Sequence, residues 1–95
     1  MSEAELQRRV LKLCREYSVL AFHDNDSRRN DAGYPDLTLV GIDGVAWAEL
    51  KAEHEQLRRE QTIWRYRILA AGQRCYVWRP ADLHSGAIDE VLSNL

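Results

Sequence analysis

GYPDLTLVGIDGVAWAELK, residues 33–51, contains two apolar runs joined by a turn, and charged residues interrupt both runs. Its central Asp-Gly pair is a strong hairpin signal, so the stretch predicts two paired strands. Asp36 lies in the first strand, and Glu49 and Lys51 lie in the second. These charges need partners, because desolvating an ionised group costs several kcal/mol even after the protein relaxes.

The length of the turn decides which charges face each other. With a two-residue turn at 43–44, Asp36 lies opposite Lys51 and diagonal to Glu49. With a four-residue loop over 41–44, Asp36 lies opposite Glu49. Both alternatives place the three charges on one face of the sheet, where opposed Cβ atoms are about 4.5 to 5.5 Å apart.

Two carboxylates beside one ammonium leave a net negative charge that a divalent cation would remove. Carboxylate oxygens without Cys or clustered His favour Mg²⁺ or Mn²⁺ over zinc. The simpler interpretation is an ordinary ion pair of Lys51 with Asp36 or Glu49 at the end of the hairpin. Gln61 favours the metal site, because this polar residue interrupts the apolar stripe of a predicted helix and needs a polar partner.

The rest of the chain predicts an α/β domain around this hairpin. Ser2 begins a capping box, S-E-A-E, whose fourth residue is Glu5. The predicted elements are a helix after Ser2, strands over 19–23, 35–40 and 45–51, a helix over 55–71, a strand over 74–78 and a helix over 87–92. This order, αβββαβα, fits a single domain over residues 1–95.

Composition limits the classes of function. The net charge of −2 argues against coating nucleic acid by bulk electrostatics, although local Arg clusters remain available. The N-terminus lacks an apolar signal core, and no apolar run approaches the ~20 residues that span a bilayer, so we expect an intracellular protein without a membrane partner. A chain of this size buries roughly 60% of its unfolded surface, which favours a homo-oligomer. Cys14 and Cys75 fit small core residues.

These features together resemble a known family. GYPD, the hairpin, ELK, a following helix with Gln61 and a strand ending in WRP are similar to the VRR-NUC domain of the PD-(D/E)XK nuclease superfamily. The similarity runs from the first helix to about Pro80, and the short chain resembles phage-type stand-alone members. It implies a restriction-endonuclease-like core, in which helices flank a mixed central sheet. It also implies a protein of the cytoplasm of a bacterial or phage-infected host cell.

The resemblance implies an activity and assigns residues to it. The expected reaction is Mg²⁺- or Mn²⁺-dependent endonucleolytic hydrolysis of DNA phosphodiester bonds, including branched or four-way-junction DNA. Asp36 and Glu49 match metal ligands, with the Leu50 carbonyl as a third. Lys51 matches the group that orients the attacking water or stabilises charge on the phosphate, and Gln61 matches a hydrogen-bonding partner that lines the site.

Three further residues and a homodimer complete the expectations. Glu5 matches the helix-one Glu of the family, which holds a water bound to the metal. Arg28 and Arg29, in the polar stretch 24–34, are candidate contacts to phosphates that flank the scissile one. We expect a homodimer, since cutting two strands requires two sites. The alternative function is a catalytically silent nucleic-acid-binding or assembly module on the nuclease fold, and a restriction-type or RNA-cutting nuclease is another enzyme class.

Overall fold

This computed structural model describes residues 1–23 and 32–95, which form one mixed four-stranded sheet with helices. Helix α1 spans Glu3–Glu16, strands β1, β2 and β3 span Leu20–His23, Leu37–Val40 and Val45–Leu50, helix α2 spans Arg59–Ala70, strand β4 spans Arg74–Trp78, and helices α3 and α4 span Pro80–His84 and Ala87–Ser93. The strand order is β1-β2-β3-β4; the first three strands run antiparallel, and β4 pairs parallel to β3. The predicted α/β class and all four predicted strands are confirmed.

The hairpin has the longer of the two predicted connections. Val40 pairs with Val45 and Leu37 pairs with Ala48, so residues 41–44 form a four-residue loop, closed by the bond from the Gly41 N–H to the Gly44 carbonyl at 2.9 Å. Continuing this register by one pair places Asp36 opposite Glu49. Both hairpin strands lie inside the sheet, between β1 and β4.

One face of the sheet is covered by α1 and by the C-terminal helices. Alternate residues of the strands supply the sheet side of this core, because successive side chains in a strand point to opposite faces. The buried apolar side chains are Leu6, Val10 and Cys14 of α1, Val19, Leu37 and Leu39, Ala46, Ala48 and Leu50, Trp78, and Ile88, Leu92 and Leu95. The opposite face carries Glu49 and is met by α2 through Gln61.

The prediction for the start of α2 was wrong by four residues. The helix was predicted from about Glu55 and begins at Arg59. The Arg79 guanidinium, at the end of β4, donates from Nη1 to the carbonyls of Ala52, Glu53 and Glu55 at 2.7, 3.3 and 2.7 Å. These carbonyls bond to Arg79, so a turn occupies the residues where helix was expected.

Helix α3 was not predicted. Pro80 occupies its first position, where a missing N–H costs nothing, and the Arg79 N–H donates to Asp82 Oδ2 at 2.8 Å. The observed order is therefore αβββαβαα. The other predicted boundaries lie within two residues of the observed ones.

Both cysteines are buried free thiols, as expected for core residues. Burial raises the pKa of the Cys14 thiol to about 11, which keeps it protonated and unreactive at neutral pH. Within the described residues, no helix has the length and apolarity that crossing a membrane requires.

Candidate functional site

Two carboxyl groups face each other where β2 begins and β3 ends. The Leu50 N–H donates to Asp36 Oδ2 at 2.8 Å and fixes this carboxylate beside β3. Glu49 is 5% exposed. Burial raises the pKa of Glu49 to about 9, helped by a hydrogen bond that the protonated Glu49 donates to Asp36 and by the charge of Asp36. Without a cation, the folded protein therefore holds a proton on Glu49 at neutral pH.

Gln61 joins α2 to this pair. Its side chain is buried, its Nε2 donates to Glu49 Oε1 at 3.1 Å, and its Oε1 accepts the Arg58 N–H at 2.8 Å. One end of the amide thus caps the start of α2, and the other end orients Glu49. The predicted need for a polar partner at this position is met by the predicted metal ligand.

Lys51 is buried beside the carboxyl groups, with 4% of its surface exposed. Its Nζ lies 3.6 Å from Glu55 Oε2, while Glu55 Oε1 accepts the Ala52 N–H at 3.2 Å. The Lys51 N–H donates to the Trp78 carbonyl at 3.0 Å, which ties the backbone at Lys51 to β4. Because Arg79 holds the turn that carries Glu55, the end of β4 positions the counter-charge of Lys51.

Aromatic side chains fix the segment that precedes Asp36. The Trp47 Nε1–H donates to the Tyr34 hydroxyl at 3.0 Å, and the Trp64 Nε1–H donates to the Ala32 carbonyl at 3.1 Å. The rings of Tyr34 and Trp64 meet edge to face at 5.0 Å. These contacts link the approach to Asp36 both to β3 and to α2.

Gly33 allows the same segment to pass close to α2. Its φ of +88° is in the left-handed region, and a Cβ at this position would overlap the backbone of Glu60. The glycine of GYPD therefore has a steric role, since it lets Asp36 and Gln61 approach the same end of β3.

The structure corrects the assignment of the helix-one acid. The Glu5 carboxylate pairs with Arg9 at 3.2 Å and Arg8 at 3.5 Å on the outer side of α1. Glu3 is an exposed residue whose carboxyl group lies beside Glu55 and Lys51. Partial burial of this carboxyl group and a hydrogen bond shared with Glu55 raise its pKa to about 7. The same bond lowers the pKa of Glu55. The prediction that Glu5 faces the site was therefore wrong, and Glu3 occupies that place.

A signal for Glu3 was present in the sequence. Glu3 precedes Leu6 by three residues and Val10 by seven, so it lies on the same side of α1 as the buried stripe. The resemblance to the family had instead assigned this role to Glu5, which is also the fourth residue of the capping box. In the structure the Ser2 hydroxyl accepts the Glu5 N–H at 3.1 Å, while the Glu5 side chain bonds to Arg9.

Three other predictions stay untested. Arg28 and Arg29 lie outside the described residues. The Leu50 backbone lies at the site through its N–H, and the role of its carbonyl as a metal ligand remains a prediction.

The donor chemistry of the cluster fits a hard divalent cation. Two opposed carboxyl groups supply oxygen ligands, and burial together with the neighbouring Asp36 raises the pKa of Glu49, so an ionised Glu49 would be stabilised by a bound cation. Across residues 1–23 and 32–95, no three His, Cys, Asp or Glu side chains stand together as a ready ligand set. Such an ion would therefore take part of its coordination from solvent and substrate, as Mg²⁺ commonly does.

Comparison of the chain with protein-family models, with curated proteins and with solved structures returns no match. The interpretation of the site therefore depends on its residues and their geometry. The likeness to VRR-NUC domains remains a resemblance.

Proposed function

We propose that this chain is a Mg²⁺- or Mn²⁺-dependent endonuclease that hydrolyses DNA phosphodiester bonds on a restriction-endonuclease-like core. The observation that carries the proposal is the convergence of Asp36, Glu49, Lys51 and Gln61 at one end of the inner strands. Glu49, Lys51 and Gln61 are the buried polar residues of the described chain. Burying ionisable groups is costly, so their concentration at one place favours a functional site.

Asp36 and Glu49 are the proposed holders of the cation, with Gln61 keeping Glu49 in place. A divalent cation bound there would polarise the phosphoryl oxygen and lower the pKa of a water molecule. Gln61 acts as a positioning residue, because its amide binds Glu49 and the start of α2 simultaneously. Leu50 lies between Glu49 and Lys51 in the sequence, and its carbonyl is the proposed third ligand.

Lys51 supplies a positive charge where the phosphate would lie. Its ammonium group is held by Glu55 and is excluded from bulk water, which strengthens its interaction with an anion. Glu3 takes the place proposed for the helix-one acid, since it shares a hydrogen bond with Glu55 beside Lys51. Lys51 and Glu3 would orient phosphate and water beside the carboxyl groups of Asp36 and Glu49.

A homodimer is part of the same proposal. Leu20 and Phe22 of β1 are 73% and 64% exposed, and Ile63 and Tyr66 of α2 are also exposed. Exposed apolar patches of this kind are typical of interaction surfaces. A second copy would bury apolar surface and supply a second site for a two-stranded substrate. Light scattering over a range of concentrations tests this, and a constant monomer mass would contradict it.

The test of the activity is cleavage of single-stranded, duplex, flap and four-way-junction DNA with and without Mg²⁺ or Mn²⁺. We expect metal-dependent cleavage that is lost in Glu49→Gln. Glu90→Gln, an exposed glutamate of α4, is the matched control and should cleave like the wild type. Calorimetric titration of Mn²⁺ into both variants measures the cation site separately from catalysis.

The outcomes separate the proposal from its alternative. DNA binding without cleavage in any metal would indicate a non-catalytic nucleic-acid-binding module. Equal Mn²⁺ affinity in the wild type and in Glu49→Gln would show that Glu49 is not a ligand. Cleavage of RNA in place of DNA would support the assignment of the site and contradict the assignment of the substrate.

A further inference from the structure

The WRP stretch at the end of β4 has no role in the proposed reaction so far, yet its backbone is firmly placed. Trp78 is buried in the core, and its carbonyl accepts the Lys51 N–H at 3.0 Å. Pro80 begins α3, and Asp82 Oδ2 accepts the Arg79 N–H at 2.8 Å. The backbone of Arg79 is therefore fixed by the sheet on one side and by the start of α3 on the other.

The side chain of Arg79 binds the turn that follows β3. Its Nη1 donates to the carbonyls of Ala52 and Glu55 at 2.7 Å each and to the Glu53 carbonyl at 3.3 Å. Backbone carbonyls outside a helix or sheet still need hydrogen-bond partners. One guanidinium nitrogen satisfies three of them here, so Arg79 holds the conformation of residues 52–55.

Two side chains of the turn add further bonds. Glu53 Oε2 accepts the Ala81 N–H at 3.1 Å, which ties the turn to α3. Glu55 Oε1 accepts the Ala52 N–H at 3.2 Å, which closes the turn on itself. The carboxylate of Glu55 is thus oriented by its own turn, and the turn is held by the segment that follows β4.

The other oxygen of Glu55 faces the candidate site. Glu55 Oε2 lies 3.6 Å from Lys51 Nζ, and within residues 1–23 and 32–95 Glu55 is the carboxylate that forms an ion pair with Lys51. Lys51 is 4% exposed, and a buried ammonium group needs a counter-charge. The lysine side chain is a flexible four-carbon stem, so the position of its charge follows the position of Glu55.

We propose that Arg79 and Glu55 are positioning residues that hold the Lys51 ammonium group where the scissile phosphate binds. This inference rests on the proposed function for the identity of the phosphate. Arg79 acts through the turn, and Glu55 acts through the ion pair. The position of such a charge matters, because a misplacement of about 1 Å can cost about 100-fold in rate.

The first test measures Lys51 directly and needs no cleavage. Lys12 and Lys51 are the lysines of the sequence, and Lys12 is exposed on α1. Limited acetylation of the folded protein with acetic anhydride in EDTA, quantified by mass spectrometry, gives the labelling ratio of Lys51 to Lys12. Glu55→Gln and Arg79→Ala should each raise this ratio at least about threefold, because the ammonium group loses its partner.

Two matched variants control for charge and for the clamp. Glu53→Gln removes the same charge from the same turn, and its amide oxygen can still accept the Ala81 N–H, so the labelling ratio should stay at the wild-type value. Arg79→Lys keeps a cation with three donors and should restore the ratio that Arg79→Ala raises. Glu55→Gln keeps the acceptor for the Ala52 N–H, so it tests the proposal even if Arg79→Ala does not fold.

The second test measures the reaction on whichever DNA form the wild type cleaves. Glu55→Gln should lower kcat about tenfold and change KM for DNA by less than about twofold, because a misplaced charge acts mainly on the transition state. Glu53→Gln should cleave like the wild type. A change in KM alone would contradict a positioning role.

The outcomes separate this proposal from the proposed reaction. A raised labelling ratio in Glu55→Gln, with rescue of the ratio by Arg79→Lys, supports the clamp even where no metal produces cleavage. An unchanged ratio in Glu55→Gln overturns it, even if the protein cleaves DNA in Mg²⁺. Cleavage by Glu55→Gln at or above the wild-type rate also overturns it, since Glu55 would then restrain Lys51 without placing it for the reaction.

Discussion

Glu49 and Leu50 are neighbours in β3, yet they belong to two regions with opposite chemistry. Leu50 points into the apolar core beneath α1 and α4 and is 1% exposed, whereas Glu49 points toward Asp36 and Gln61 and is 5% exposed. Dispersion and the hydrophobic effect stabilise the first region. The second region excludes ionisable groups from water. This burial is costly unless a bound ion or substrate compensates their charge.

The largest effect expected is loss of cleavage on the charged face without loss of folding. Asp36→Asn and Glu49→Gln should each lower cleavage at least about 1000-fold, or about 4 kcal/mol of transition-state stabilisation. Both amides can still accept the hydrogen bonds of Leu50 and Gln61, and each variant keeps at most one charged group of the pair, as the metal-free wild type does, so metal-free stability should not decrease. Single-turnover cleavage and urea denaturation measure the two quantities.

Lys51→Ala is a third variant of the same face, and it removes a positive charge where the other two remove a carboxyl group. It should also abolish cleavage, because the phosphate loses its cation. Near wild-type cleavage in any of the three variants would refute the assignment of the site.

The core face should show the reverse pattern. Leu39 is fully buried, and Leu39→Ala should lower the free energy of unfolding by about 2 to 5 kcal/mol through lost burial and a cavity. Cleavage per folded molecule should stay near the wild-type level. Val40, its neighbour on the other face, is 40% exposed, so Val40→Ala is the matched control with an expected loss below about 1.5 kcal/mol. Equal losses in both variants would contradict the difference between the faces.

Period-two alternation explains why much of the charged face could be predicted from sequence. Once 33–51 is identified as a hairpin, either turn length puts Asp36, Glu49 and Lys51 on one face. Helical spacing likewise placed Gln61 on the side of α2 that meets the sheet. Local periodicity was sufficient in both cases, because the position of a residue within its own strand or helix determines the side on which its side chain lies.

What could not be predicted depends on contacts between distant parts of the chain. The turn after β3 is held by Arg79, which follows it by more than 20 residues, so the delayed start of α2 has no local signal. Glu3 could have been identified from the stripe of Leu6 and Val10. Whether its carboxyl group reaches Glu55 depends on how α1 lies against the sheet, which spacing does not determine.

A smaller effect is expected in the pH dependence of stability. The pKa of Glu49 is about 9 in the folded protein, whereas the ordinary value of 4.5 applies to the unfolded chain. Between these two pH values the folded state holds a proton that the unfolded state has lost. The free energy of unfolding should therefore decrease as pH rises, at no more than about 1.4 kcal/mol per pH unit. From about pH 5.5 to pH 8 we expect a total of about 3 kcal/mol.

Glu49→Gln isolates this contribution from that of other groups. Urea denaturation in EDTA at several pH values should give a smaller decrease in the variant than in the wild type. Because a cation replaces the proton, wild-type Mn²⁺ affinity should rise over the same pH range. Parallel pH profiles of the two proteins would show that Glu49 is ionised in the metal-free fold.

The smallest effect concerns two glutamates on one turn of α1. Glu3 lies beside Glu55 and the buried Lys51, while the Glu5 carboxylate is bound by Arg8 and Arg9 on the outer side. Glu3→Gln should therefore lower cleavage about tenfold, or about 1.4 kcal/mol, because a neutral amide orients water and cation less strongly. Glu5→Gln removes a surface ion pair worth at most about 1 kcal/mol and should leave cleavage unchanged. If Glu5→Gln cleaves more slowly than Glu3→Gln, α1 presents the other side of its first turn to the substrate, and Glu5 rather than Glu3 belongs to the charged face.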